Sequence, residues 1–128
     1  MSRIALLTLL VGCAPSPLVG LNEVGSSWLE IYNQDARVAS IGAWSIQLDL
    51  RTPWTLPDSV EVQPGDVRVV DGFDLAAGVL KLRDESGELV QEIDLPELES
   101  GQSYARLPDG DGRWRVIDAP TPGELNGE

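Results

Sequence analysis

The stretch Trp44-Ser45-Ile46-Gln47-Leu48-Asp49 decides the fold class, because its apolar and polar side chains alternate without interruption. Successive side chains of a β-strand point to opposite faces of a sheet, so Trp44, Ile46 and Leu48 would share one buried face. The same period of two recurs in residues 27–32, 67–69, 80–82, 89–93, 104–107 and 114–117. The sequence therefore predicts a fold built from short strands.

Turn-forming residues separate these segments. Gly tolerates positive φ and Pro fixes φ, so both favour turns, and the chain has 13 Gly and 9 Pro. The one helical pattern, residues 73–79, contains Gly78 and is too short for a stable helix. Short strands spaced by about 8 to 12 residues, with turns between them, predict an antiparallel β-sandwich or a β-barrel.

The composition limits the number of domains and the class of partner. A chain of 128 residues is long enough for one domain and too short for two. With 42% hydrophobic and 23% charged residues, it can bury a core and is not a disordered tail. Its 21 acidic residues outnumber 9 basic ones, which are scattered along the sequence. Because nucleic-acid binding needs a clustered basic surface, we expect no nucleic-acid partner.

The N-terminus has the pattern of a bacterial lipoprotein signal peptide. The apolar run of residues 4–11 is typical of a secretory leader and is far shorter than the roughly 20 residues that span a bilayer. Leu10-Val11-Gly12-Cys13 then matches a lipobox, in which the small Gly12 admits the peptidase and the thiol of Cys13 accepts the lipid. We expect a signal peptide over residues 1–12, cleaved between Gly12 and Cys13. A lipidated Cys13 and a Pro-containing tether would follow over residues 13–18.

A series of short motifs runs through the rest of the chain. They are Leu21-Asn22-Glu23-Val24, Trp28-Leu29-Glu30-Ile31-Tyr32-Asn33, Ile41-Gly42-Ala43-Trp44-Ser45-Ile46, Val62-Gln63-Pro64-Gly65-Asp66, residues 79–87, residues 101–106, Asp109-Gly110, Trp114 and Pro120-Thr121-Pro122-Gly123-Glu124-Leu125-Asn126. In this order they resemble the lamin-tail domain, a family found at the end of nuclear lamins and in many secreted bacterial proteins. The resemblance covers residues 19–126. It implies an all-β, immunoglobulin-like antiparallel β-sandwich, with a binding or scaffolding role and no family-wide catalytic site.

The aromatic residues and one unusual carboxylate have mainly structural explanations. Strand patterns predict core or sheet-face positions for Trp28, Trp44 and Trp114. Trp54 lies in a predicted loop and is the better candidate for an exposed ligand contact. Glu30 sits among apolar neighbours, so we expect it, with Asn33, to bind nearby backbone amides.

Two Asp-Gly pairs at residues 109–112 provide a possible calcium site. Asp109 and Asp111 could supply oxygen ligands, and Asp118 could fold back to join them. The alternative is an ordinary hairpin turn, because Gly accepts positive φ and no full EF-hand loop follows. Ca²⁺ is therefore the only cofactor that the sequence suggests, and the turn is the favoured explanation.

The residue types that most enzymes use are scarce in this chain. It has no His, which excludes His-based triads and most zinc sites. Cys13 would be consumed by lipid, and Lys81, the sole Lys, lies within a predicted strand. The 21 acidic residues guarantee some carboxylate pairs by chance, and no motif selects one of them. We expect no enzymatic activity.

These features predict a membrane-anchored lipoprotein of the bacterial cell envelope that acts as a binding or envelope-structural module. The lipid on Cys13 would hold it to the membrane, and its partner would be a protein or an envelope polymer. Ala14 follows the acylated Cys13, which by resemblance to enteric lipoproteins implies outer-membrane sorting. Two alternatives stay open: an accessory subunit or degenerate enzyme acting on extracellular polymer, and a calcium-dependent adhesion module.

Overall fold

Eleven strands form the regular structure of residues 17–110 and 112–127, the part of the chain that the computed structural model describes. They are β1 (Val19–Val24), β2 (Trp28–Asn33), β3 (Ala39–Ser40), β4 (Ser45–Leu48), β5 (Trp54–Thr55), β6 (Glu61–Val62), β7 (Val67–Asp71), β8 (Gly78–Arg83), β9 (Leu89–Leu95), β10 (Ser103–Leu107) and β11 (Arg113–Ile117). Each segment with a period of two in the sequence corresponds to one of these strands. The pattern at residues 73–79 forms no helix, and its last two residues begin β8.

The strands are arranged as two packed antiparallel sheets and a small ribbon. The five-stranded sheet has the order β11-β10-β1-β2-β7, and the four-stranded sheet has the order β5-β4-β8-β9. The ribbon pairs β3 with β6. All strand pairs are antiparallel. This architecture confirms the prediction of an all-β sandwich.

The alternation of side chains builds the core between the two sheets. Leu29 and Ile31 of β2 and Ile46 and Leu48 of β4 are all 0% exposed. They pack in one cluster with apolar residues from the other strands and from the loops between them. Burying such side chains is the main favourable term in folding, at roughly 25 cal/mol for each Å² removed from water. Every second side chain of these strands faces the core between the two sheets, which explains why apolar residues recur with a period of two in the sequence.

Gly42 allows two loops to lie against each other beside this core. A side chain added at Gly42 would place its Cβ only 2.0 Å from the backbone oxygen of Asp58. On either side of it, the N–H of Ile41 donates to the oxygen of Val60, and the N–H of Ala43 donates to the oxygen of Leu56. The backbone approach therefore requires a residue without a side chain at position 42.

Leu48 and Leu50 form a matched pair that tests the packing. Leu48 ends β4 and is 0% exposed, whereas Leu50 is 95% exposed because Asp49, with φ 52°, turns the chain out of the strand. We expect Leu48→Ala to lower the free energy of unfolding by about 2–5 kcal/mol, since it leaves a cavity. We expect Leu50→Ala to change it by less than about 0.5 kcal/mol. Urea denaturation of both variants checks this, and equal losses would contradict the packing.

Candidate functional site

Two buried glutamates lie side by side on the outer face of the five-stranded sheet. Glu23 of β1 is directly opposite Glu30 of β2, and both are 0% exposed. Their neighbours Val24 and Leu29 point into the core, so the two carboxylates point to the opposite face. Like charges in this position destabilise a sheet, and a buried carboxylate without hydrogen-bond donors costs still more. The fold therefore needs donors above this face.

The C-terminal segment, residues 118–127, supplies most of these donors. Thr121 donates to Glu23 twice, from its backbone N–H at 3.0 Å and from its hydroxyl at 2.9 Å. The hydroxyl of Ser103 in β10 donates to the same carboxylate at 2.6 Å. Glu23 thus joins β1, β10 and the C-terminal segment.

Glu30 makes the corresponding contact one strand further along the sheet. It accepts the backbone N–H of Gly123 at 2.9 Å and the side-chain amide of Asn22 at 3.0 Å. The expected pairing with a backbone amide is therefore present, but the amide lies 93 residues away in the sequence. Burial raises the pKa of Glu30 to about 7. The hydrogen bonds from Asn22 and Gly123 lower this pKa, and the nearby charges of Glu23 and Asp109 raise it.

Asp109 is the third carboxylate that binds the C-terminal segment. It accepts the backbone N–H groups of Asn126 and, at 2.8 Å, of Gly127, together with the side-chain amide of Asn22 at 2.8 Å. The side chain of Asn126 in turn donates to the backbone oxygens of Asn22 and Arg106, each at 2.9 Å. We call Glu23, Glu30 and Asp109 the carboxylate clasp, because together they hold the C-terminal segment on the sheet.

The residues predicted to bind calcium are not brought together by the described structure. Asp109 belongs to the carboxylate clasp, whereas Asp118 lies at the far end of the β10–β11 hairpin, where it accepts the side-chain amide of Gln102 at 2.9 Å. Asp111 lies outside the described residues. Within residues 17–110 and 112–127 there is no group of three or more Cys, Asp, Glu or His side chains arranged to hold a metal ion.

Trp54 lies in a short edge strand, β5, and not in the predicted loop. Its ring is half-buried and meets the ring of Phe73 edge to face, with the centroids 5.4 Å apart. It borders a shallow groove of about 370 Å³ that runs towards β7. The structure therefore gives Trp54 a packing role as well as a partly exposed surface.

A second groove, which sequence reasoning missed, opens where the two sheets differ in width. The four-stranded sheet ends at β9, while the five-stranded sheet continues through β10 to β11. The groove between them has a volume of about 660 Å³. Its lining includes Pro17, Leu89, Val90, Tyr104, Arg106 and Trp114. We call it the β9–β11 groove.

The wall of the β9–β11 groove is an aromatic stack capped by a cation. The rings of Tyr104 and Trp114 lie 5.2 Å apart at an angle of 23°, and the guanidinium of Arg106 lies 5.2 Å from the centre of the Trp114 ring. Arg106 and Trp114 are direct cross-strand partners. Pairing residues 104–107 with 114–117 across the predicted turn could have revealed this contact from the sequence.

No family model matches the chain, and no curated protein sequence matches it. The geometry of the carboxylate clasp and of the β9–β11 groove is therefore the main guide to function.

The predicted lipobox cannot be placed in this structure. Gly12 and Cys13 lie outside the described residues, which begin at Pro17. Within the part that is described, no helix has the length and apolar character needed to cross a bilayer.

The raised pKa of Glu30 makes the stability of the clasp depend on pH. Between about pH 4.5 and 7, folded Glu30 keeps a proton that the unfolded chain has released, so its contribution is full below this range and lost above it. We expect the stability of the native protein relative to Glu30→Gln to fall as pH rises through this range. Chemical denaturation at both ends of the range measures it. The exposed control Glu124→Gln should show no such change. If the stability of Glu30→Gln varied with pH in the same way as that of the native protein, the raised pKa of Glu30 would be contradicted.

The side chain of Asn126 tests the attachment of the C-terminal segment. Asn126→Ala removes two hydrogen bonds to backbone oxygens, so we expect the free energy of unfolding to fall by roughly 1–3 kcal/mol. Glu124→Ala, an exposed change in the same segment, is the matched control and should have little effect. Thermal or urea denaturation measures both. Equal stability of the two variants would show that the segment is not held by these bonds.

Proposed function

We propose that this chain is a membrane-anchored, non-enzymatic lipoprotein whose lamin-tail-like sandwich serves as a binding or envelope-structural module. The observation that carries the proposal is the carboxylate clasp. Its three acidic side chains, of which Glu23 and Glu30 are fully buried and Asp109 is half-buried, are the residue types best suited to acid–base chemistry. Each accepts a backbone N–H from the C-terminal segment of the same chain. These carboxyl groups hold the C-terminal segment on the sheet.

The clasp also supports the lamin-tail resemblance on physical grounds. The motif residues Glu30, Asp109 and Asn126 are widely separated in sequence, yet all three form hydrogen bonds with Asn22. Glu23 joins this network through Thr121, whose hydroxyl lies within hydrogen-bond distance of both Glu23 and Asn126. Each of these motifs needs the others to satisfy its buried polar groups. The separate motifs therefore contribute to one hydrogen-bond network. For this reason we propose that the chain contains a domain of the lamin-tail kind.

The membrane anchor is proposed from residues 4–13. An apolar run of the length of a signal peptide ends in Leu10-Val11-Gly12-Cys13, and the first strand of the described structure, β1, begins at Val19. Lipid on Cys13, with palmitate as one of its acyl chains, would hold the sandwich at an envelope membrane. Ala14 after Cys13 favours the outer membrane. Firm attachment of the protein to the membrane needs more than one acyl group on Cys13.

Substitution of Cys13 tests the anchor. In bacteria that express the full chain, we expect Cys13→Ala to move the protein from the membrane fraction to the soluble or precursor pool, because no thiol accepts diacylglycerol. Mass spectrometry of the N-terminal peptide should show acylation in the native protein and none in the variant. Ser16→Ala changes the tether but leaves the lipobox intact, and it should behave like the native protein.

The result that would overturn the proposal is equal membrane retention of the native and Cys13→Ala proteins with no acylation in either. Hydrolysis of an envelope polymer by the purified native protein, lost in Glu30→Gln, would contradict the non-enzymatic role.

A further inference from the structure

We propose that the edge hairpin β10–β11 is the face with which the anchored domain rests on the anionic phospholipid headgroups of its own membrane. This inference rests on the proposed lipid anchor at Cys13 and adds an orientation to it. Three independent observations support it: the charge of the hairpin, the place where the tether leaves the fold, and the chemistry of the side chains there.

The hairpin is a basic strip on an acidic protein. The chain has a net charge of −12, yet the ten residues of β10 and β11 contain Arg106, Arg113 and Arg115 and no acidic residue. Arg113 and Arg115 are exposed. Arg113 and Arg115 share one face of β11, whereas Arg106 on β10 points to the other face, beside Trp114. The hairpin therefore presents positive charge on both sides of this edge of the sheet, which suits an anionic partner.

The tether leaves the fold beside this strip. Pro17, the first described residue, lines the β9–β11 groove together with Trp114 and Arg106. Cys13 is four residues earlier in the chain. Since each residue spans at most about 3.6 Å, the lipid attachment point lies within roughly 14 Å of this groove. A tether of that length keeps the hairpin side of the domain close to the headgroups.

The side chains at this edge suit the interface between lipid and water. Trp, Tyr and Arg are the residues enriched at headgroup depth, and Tyr104, Trp114 and Arg106 form one stack here. Exposed apolar side chains accompany them: Val116 is 43% exposed and Leu89 is 50% exposed. The acidic residues that line the same groove, Glu92 and Asp94, belong to β9 and not to the hairpin. The hairpin itself combines basic, aromatic and aliphatic groups next to the tether.

The opposite edge of the same sheet provides the comparison. β7 lies four strands from β11, which at about 4.8 Å per strand is roughly 19 Å away. Its two exposed charged residues, Arg68 and Asp71, have opposite signs, so β7 has no net charge. An anionic membrane would therefore attract the hairpin edge of the sheet more strongly than the β7 edge. The short tether and the charge asymmetry together fix the orientation.

The test places a nitroxide label at each edge of the lipidated, full-length protein. Cys13 is the only cysteine, and its thiol would carry the lipid, so a cysteine introduced by Val116→Cys or Asp71→Cys is the single reactive thiol. The protein is reconstituted in vesicles of phosphatidylcholine with phosphatidylglycerol, and in vesicles of phosphatidylcholine alone. Collision with a water-soluble nickel chelate reports exposure of the label. Flotation of the vesicles reports anchoring separately.

We expect the label at position 116 to be shielded from the chelate in anionic vesicles and the label at position 71 to be exposed. Reversing the charge of Arg113 and Arg115 to Glu should reduce the ratio of shielded to exposed label by about 25-fold or more, because each basic residue near an anionic surface changes this equilibrium about fivefold. The control pair Arg37→Glu and Arg51→Glu changes the net charge equally and should leave the shielding intact. Cooperative melting of both pairs confirms that they fold.

Protein that floats with the vesicles but exposes both labels equally would overturn this inference and leave the anchor standing. Protein that does not float would overturn the anchor and this inference with it. Three further results would overturn the inference as well, because each would assign the hairpin to another occupant. They are equal shielding of the label in neutral vesicles, shielding that rises with the density of protein on the vesicle, and shielding that appears only when an acidic peptide is added.

Discussion

The structure depends on one constraint, which is that carboxylates removed from water need hydrogen-bond donors. Glu23 and Glu30 are adjacent and buried on a sheet face that could otherwise be solvated. The chain meets this need with the backbone of its own last residues, through Thr121 and Gly123. Ordering that segment costs conformational entropy, and the hydrogen bonds to the two carboxyl groups offset the cost. The C-terminal segment thereby becomes part of the fold.

This arrangement also determines where the protein can meet a partner. The outer face of β1 and β2 is occupied by the C-terminal segment, and the inner faces of both sheets form the core. The outer face of the four-stranded sheet and the edges of the sandwich remain open. At one edge the two sheets differ in width, because β10 and β11 extend past β9. The β9–β11 groove and the basic hairpin beside it result from that difference. A binding role is thus proposed for an edge and not for a buried pocket.

The sequence predicted the parts of this structure that follow from local patterns. The alternation around Ile46 and Leu48 located the strands and the core, because a two-residue period has one explanation in a half-buried sheet. The sequence did not predict β5, because a strand of two residues exists only through its pairing, and so Trp54 was assigned to a loop. The Gly residues that follow Asp109 predict a turn or a calcium ligand at this position. Its actual donors, Asn126 and Gly127, are 17 and 18 residues away and could be identified only from the fold.

Hydrogen exchange of the C-terminal backbone amides tests the central claim most directly. We predict that the amides of Thr121, Gly123 and Gly127 exchange slowly. Glu23→Gln together with Glu30→Gln should raise the rates of Thr121 and Gly123, whose N–H groups donate to these two side chains, while the core amides of β8 stay protected. Exchange of these three amides at the rate of an unstructured peptide in the native protein, with the sheets intact, would contradict the account.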